Sequence, residues 1–219
     1  MSAYPYLLLS LTGLAVTLIL MWGCRGQRRL MLLAGLLWAP TGFLGVIFNP
    51  VYWNPTLLFQ GKVGVEDLIF SFWSASLCWL IAAGAAPLEG PKLRARAVLA
   101  RSLLVLLVFM TAFVLSKFAV KGVMTAAMLA AFPVAGLMAC FRPDAMRLVM
   151  RGALGYPAIY LSSIALTVWV FPEFGGQWRV QGHWGVAASG IPLEEAVWAL
   201  LYGALSPWIT AYVFDVYHL

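Results

Sequence analysis

Apolar residues in this chain run in seven long blocks, separated by short clusters of charge. The blocks cover roughly 4–23, 29–48, 65–86, 97–116, 122–140, 150–171 and 192–213. A helix rises 1.5 Å per residue, so about 20 apolar residues cross the hydrocarbon core of a bilayer. The pattern predicts an all-α polytopic membrane protein with seven transmembrane helices. The first block has no basic residue before it, and its cations follow it in "CRGQRR". A cleaved signal has the reverse order, so the block reads as a retained first helix.

Charge sets the expected orientation. Arg25, Arg28, Arg29, Lys92, Arg94, Arg96, Arg101, Arg142, Arg147 and Arg151 fall on one side, and Lys62, Lys117, Lys121 and Arg179 on the other. The positive-inside rule then puts the N-terminus outside and the C-terminus in the cytoplasm. The expected location is an inner or plasma membrane of bacterial type, crossed several times.

Composition agrees with the blocks: 63% of residues are hydrophobic and 10% charged. Soluble domains carry about 25% charged residues, and a water-soluble core of this length could not hide so much apolar surface. The net charge of +6 sits in short inter-block clusters and gives no nucleic-acid signal. Cys24, Cys78 and Cys140 are far apart and lack CxxC spacing, so they read as small apolar fillers.

Two segments share an order of features. "RRLMLLAGLLWAPTGFLGVIFNP" (28–50) and "MRLVMRGALGYPAIYLSSIALTVWVFP" (146–172) both open near Arg-Leu, carry a proline about ten residues in and end at a proline. Each leads through a Trp-bearing loop to an acidic pair, Glu66-Asp67 or Glu194-Glu195. The expected organisation is a first three-helix repeat (1–86), a linker helix (87–120) and a second three-helix repeat (121–219), forming one membrane domain. The extra helix makes the two repeats parallel, so both acidic pairs start helices at the outer leaflet. Four carboxyl groups are expected to converge near one cavity.

Half of the eight acidic residues lie in these two pairs. One explanation is local. Carboxylates suit the first turn of a helix, Pro192 stands where a first-turn proline belongs, and Ser189 could help cap. The other is chemical, because ionisable groups at membrane depth are costly and are functional suspects. A carboxyl group in an apolar, aromatic-lined cavity can protonate an alkene, and aromatic faces can stabilise the resulting carbocation. Ten tryptophans are present. Trp53 and Trp184, beside His183, lie in the outer loops with Trp178. Phe70, Trp73 and Trp198 follow the acidic pairs, and Trp198 comes four residues after Glu194, on its face of the helix. An interfacial aromatic belt explains loop tryptophans equally well.

"SGIPLEEAVWALLYG" (189–203) resembles the Pro-x-Glu-Glu signature of the membrane lycopene β-cyclases of the heterodimeric or fused type. "FNPVYW" followed by "GVEDLIFSF" is similar in layout, although Gly64 and Val65 stand where proline and leucine are expected and Asp67 replaces the second Glu. The resemblance covers roughly 29–80 and 147–213. It implies a duplicated three-helix domain and a redox-neutral, proton-initiated cyclisation of a polyene end, with no cofactor. The catalytic residues implied are Glu194, Glu195, Glu66 and Asp67. Trp198, Trp73, Trp53, Trp184, His183 and Phe70 would line the substrate. The substrate would be a lipophilic isoprenoid: lycopene, another linear polyprenyl compound or a prenylated aromatic one.

No lysine lies in 192–213 for a retinal Schiff base, no DDxxD motif for metal-driven ionisation, and no P-loop. No His/Cys cluster suggests a metal site. The rival from another class is a small proton- or cation-coupled transporter or lipid-binding membrane protein, with the acidic pairs as its ion site. Membrane lipid is the expected surrounding partner, and a homo-oligomer is compatible with all of these.

Overall fold

The computed structural model describes residues 4–84, 94–179, 184 and 190–217. Within them lie seven helices long and apolar enough to cross a membrane. They are α1 (Pro5–Gly23), α2 (Arg28–Phe48), α3 (Val65–Ala83), α4 (Ala95–Ala119), α5 (Val123–Phe141), α6 (Met146–Val170) and α7 (Leu193–Phe214). The seven apolar blocks thus correspond one to one with the helices. Among the described residues there is no strand, only an isolated antiparallel bridge between Trp53 and Trp178.

The helix ends differ from the apolar blocks where the chain leaves hydrocarbon. α4 begins at Ala95 and ends at Ala119, and α6 begins a turn before the expected 150. Polar residues such as Arg96, Lys117 and Arg147 do not interrupt a helix; they only end its apolar stretch. α3 stops at Ala83, because Gly84 adopts φ +59° as its C-cap, a left-handed conformation that favours glycine. Pro40 lies in a 3-10 stretch, Ala39–Leu44, that interrupts α2. A proline has no N–H for the helical ladder, and the local tightening absorbs that loss.

The helices pack around α3 and α7, which touch each other. α3 also packs on α1, α2 and α6, and α7 packs on α5, α6, α4 and α2. Small residues allow the closest approach. Gly152 of α6 and Gly203 of α7 face each other, and a Cβ on Gly203 would lie 2.5 Å from the Gly152 carbonyl oxygen. α4 lies at the edge with little of its surface buried. Its Leu107 (65% exposed) and Phe118 (86%) would be costly in water and are at no cost in lipid.

The bundle has an acidic end and a basic end. The loop after α2, the α4–α5 turn and the start of α7 meet at the acidic end. The α1–α2 turn and the C-terminal ends of α3, α5 and α7 lie at the other. There the Arg142 guanidinium, 4% exposed, donates to the carbonyls of Ala211 (2.7 Å) and Val216 (2.5 Å) and pairs with Asp144. Arg101 likewise donates to the Tyr212 carbonyl and pairs with Asp215. Both donate to carbonyls of the last turn of α7; that of Ala211 also accepts from the Asp215 and Val216 N–H groups.

Candidate functional site

Both acidic pairs lie in first helical turns, at the same end of the bundle. Glu66 and Asp67 open α3; Glu194 and Glu195 open α7. All four are buried, Glu66 completely. Pro192 is the N-cap of α7 rather than part of its first turn, so Leu193 is the first helical residue. Ser189 and His183 lie outside the described residues.

Each carboxyl group has its own task. Asp67 reaches back with Oδ2 to the Gly64 N–H at 2.8 Å, the half of a capping box that a glycine N-cap permits. Its Oδ1 accepts from the Tyr6 hydroxyl at 2.9 Å. Glu66 Oε1 accepts from the Leu58 N–H at 2.5 Å, holding the loop to the helix. Its Oε2 is buried without a hydrogen-bond partner among the described residues and occupies the space a Cβ on Gly64 would need. The glycine that stands where the resemblance expects a proline leaves this carboxylate its room; a side chain there would displace it.

Glu195 receives three donors. Tyr52 gives 2.7 Å and the Trp178 indole N–H 3.0 Å to Oε1, and the Tyr160 hydroxyl donates to Oε2. The indole N–H can only donate, so this carboxyl group serves it as an acceptor. Burial first, and then the charge of Glu195, hold the Tyr52 hydroxyl well above the usual tyrosine range, so it stays a donor.

Glu194 points elsewhere. It accepts from the Trp184 N–H at 2.6 Å and lines a cavity of about 250 Å³ with Val51, Tyr52, Lys121 and Thr125. Tyr52 therefore touches both the cavity and Glu195. Of the four carboxyl groups, Glu194 is the one that lines this cavity. Neighbours on a helix point about 100° apart; Glu66 holds the loop before α3, and Asp67 binds its own N-cap and Tyr6 of α1.

An aromatic cluster separates and bridges the two pairs. Trp53 meets Trp178 at 4.5 Å, Phe174 at 5.2 Å and Tyr6 at 5.8 Å between ring centroids. Phe70 lies 5.8 Å from Tyr6 and 6.1 Å from Tyr160. Backbone bonds Asn54 N–H to Gln177 O and Arg179 N–H to Tyr52 O, both 2.9 Å, fasten the two loops together and set this contact. The expected substrate-lining residues thus divide. Trp53 and Phe70 belong to the cluster. Trp73 is buried against Gly13 of α1 and meets Phe70 at 5.0 Å. Trp198 packs on Tyr202 at 5.9 Å. Trp184 is half exposed, with its indole N–H on Thr125.

Tyr6, Tyr52, Tyr160 and Trp178 are absent from the site the sequence suggests. The available signal is chemical: a buried hydroxyl or indole N–H needs an acceptor, and few acceptors exist in such a chain. The pairing itself spans 143 positions between Tyr52 and Glu195 and has no local signature. Among the described residues, no three His, Cys, Asp or Glu side chains gather as metal ligands would. No family model matches this chain, and no curated protein or solved structure matches it either.

Proposed function

We propose that this chain is a membrane-embedded terpenoid cyclase of the lycopene-cyclase kind, catalysing a proton-initiated, redox-neutral ring closure of a linear isoprenoid. The observation that carries the proposal is Glu194 in a cavity whose wall, Tyr52, is hydrogen-bonded to Glu195. A volume of about 250 Å³ is below the roughly 300–1,000 Å³ of sites that enclose a small molecule. It suits one end of a long isoprenoid whose remainder lies in lipid.

In the proposed reaction, the protonated carboxyl group of Glu194 adds its proton to a terminal alkene, leaving a tertiary carbocation. An internal alkene attacks it, forming the ring C–C bond. A ring proton then leaves to the Tyr52 oxygen as the Tyr52 proton passes to Glu195, and the product is an isomer of the substrate. Returning that proton to Glu194 closes the cycle. In this reaction the Tyr52 ring, the aromatic residue of the cavity wall, is the π-face offered to the cation.

The duplicated architecture belongs to the same proposal. Contacts of α3 with α1, α2 and α6 parallel those of α7 with α5, α6 and α2, which supports two like-oriented three-helix units. The excess of cations at the basic end supports a cytoplasmic C-terminus. A second reading, a proton-coupled transporter, draws on Tyr160, Tyr156 and Tyr202, which run from Glu195 into the membrane with ring spacings of 5.6 and 5.2 Å.

Expression in a host that makes lycopene, followed by shorter polyprenyl substrates, tests the proposal. A new isomeric product, lost in Glu194→Gln at equal membrane accumulation, supports it. No product from any of these substrates, with pH-dependent uptake into vesicles, favours the transporter.

A further inference from the structure

Arg25, Arg28 and Arg29 surround the tight turn between α1 and α2. All three are exposed, and none forms a hydrogen bond or ion pair with another described residue. This contrasts with Arg101 and Arg142 at the same end, whose guanidinium groups are occupied by carbonyls and carboxylates. The turn is firmly built. Gln27 is buried, its N–H donates to the Cys24 carbonyl, its carbonyl starts α2, and its side-chain oxygen accepts from the Trp79 indole at 3.1 Å.

Below the arginines lies a groove of about 450 Å³, walled by Leu18, Trp22 and Leu32 with Met21 at its base. Trp22 is 74% exposed and stands at the level of the arginines, where a bilayer would place an interfacial indole. Three unpaired cations above an apolar channel match one kind of molecule, with an anionic head and a hydrocarbon tail. Basic pockets between transmembrane helices have this form in lipid recognition.

We propose that the α1–α2 groove binds an anionic phospholipid from the leaflet at the basic end. Its phosphate sits among Arg25, Arg28 and Arg29, and one acyl chain lies along Leu18, Trp22 and Leu32. The site is independent of the acidic end and of whatever reaction occurs there. Free phosphate would use the arginines but not the apolar wall.

The test uses the full chain in neutral detergent, with retention of phosphatidylglycerol and phosphatidylcholine of equal acyl length measured by native mass spectrometry. Phosphatidylglycerol should be retained at least about tenfold better, since clustered basic side chains near the headgroup favour an anionic lipid over a zwitterionic one. The triple variant R25Q/R28Q/R29Q should lose that preference, and R25K/R28K/R29K should keep most of it. The thermal midpoint in the same detergent checks that each variant is folded. Equal retention of the two lipids by the unmodified chain overturns the proposal, as does an undiminished preference in the folded glutamine variant. Displacement of phosphatidylglycerol by millimolar inorganic phosphate alone would also overturn it, because the tail would then contribute nothing.

Discussion

The hydroxyl of Tyr52, in the loop after α2, donates a 2.7 Å hydrogen bond to Oε1 of Glu195 in the first turn of α7. With the backbone bonds between Asn54 and Gln177 and between Arg179 and Tyr52, this contact ties the loop after α2 to the acidic start of α7. It also puts a proton-bearing group between Glu195 and the cavity that Glu194 faces.

Replacing Glu195 with glutamine keeps the shape but sets an amide against three donors. On the proposed reaction, product falls by about 100-fold or more, the usual range for losing an acid–base group. Product extraction alongside quantification of the protein in membranes checks this. Unchanged turnover would remove Glu195 from the chemistry.

Tyr52→Phe and Tyr160→Phe each remove one donor from the same carboxyl group. A hydrogen bond to a charged group contributes about 1.5–3 kcal/mol, so each variant should unfold at a lower temperature in detergent. Because they share Glu195, their effects should not add. Thermal midpoints of both single variants and the double variant give the coupling; strict additivity would show that Glu195 does not link them.

The Tyr52 hydroxyl also has a pH consequence. Its folded pKa lies above the ordinary tyrosine value of about 10, chiefly through burial. The stability this hydroxyl contributes is complete below that value. Above about pH 10 the unfolded chain ionises while the folded one does not, so stability falls as pH rises. The fall should be shallower in Tyr52→Phe. Thermal midpoints between pH 8 and 11 would read it, and parallel curves would contradict it.

Gly203→Ala should separate α6 from α7, because the added methyl meets a backbone carbonyl at 2.5 Å that cannot swing aside. A loss of about 1–3 kcal/mol is expected. Gly136→Ala in α5 is the control, with nothing within 4 Å of its Cβ and a gain of up to about 1 kcal/mol in helix propensity. Chemical denaturation of the two variants should move in opposite directions.

Arg142→Met removes the donor to the carbonyls of Ala211 and Val216; Ala211 keeps the Asp215 and Val216 N–H groups, so the cost falls on the buried Val216 carbonyl and on the lost ion pair with Asp144. Stability should fall by about 2 kcal/mol or more, with Arg142→Lys intermediate. Thermal unfolding and protease sensitivity of the C-terminal segment would both report it.

Much of the fold was legible because a bilayer imposes a length. The seven apolar blocks could be counted, and Val65 and Leu193 start their helices within a residue of the expected positions. The acidic pairs could be singled out because carboxyl groups are scarce and costly in such a chain. Their partners could not. Tyr6 and Trp178 look like interfacial aromatics in sequence, and only packing makes one a donor to Asp67 and the other to Glu195.

The sequence by itself determined the number of crossings, the excess of cations at one end and the presence of two acidic helix starts. These follow from short-range physics: hydrocarbon thickness, desolvation of charge and the free amides of a first turn. Tertiary structure decided which carboxyl faces a cavity, which is surrounded by donors and which only ties down its loop. Those outcomes depend on helix rotation and on contacts between loops more than a hundred residues apart, such as Trp53 with Trp178. A rotation of 100° separates one residue from the next, and no local pattern in this chain sets the angle.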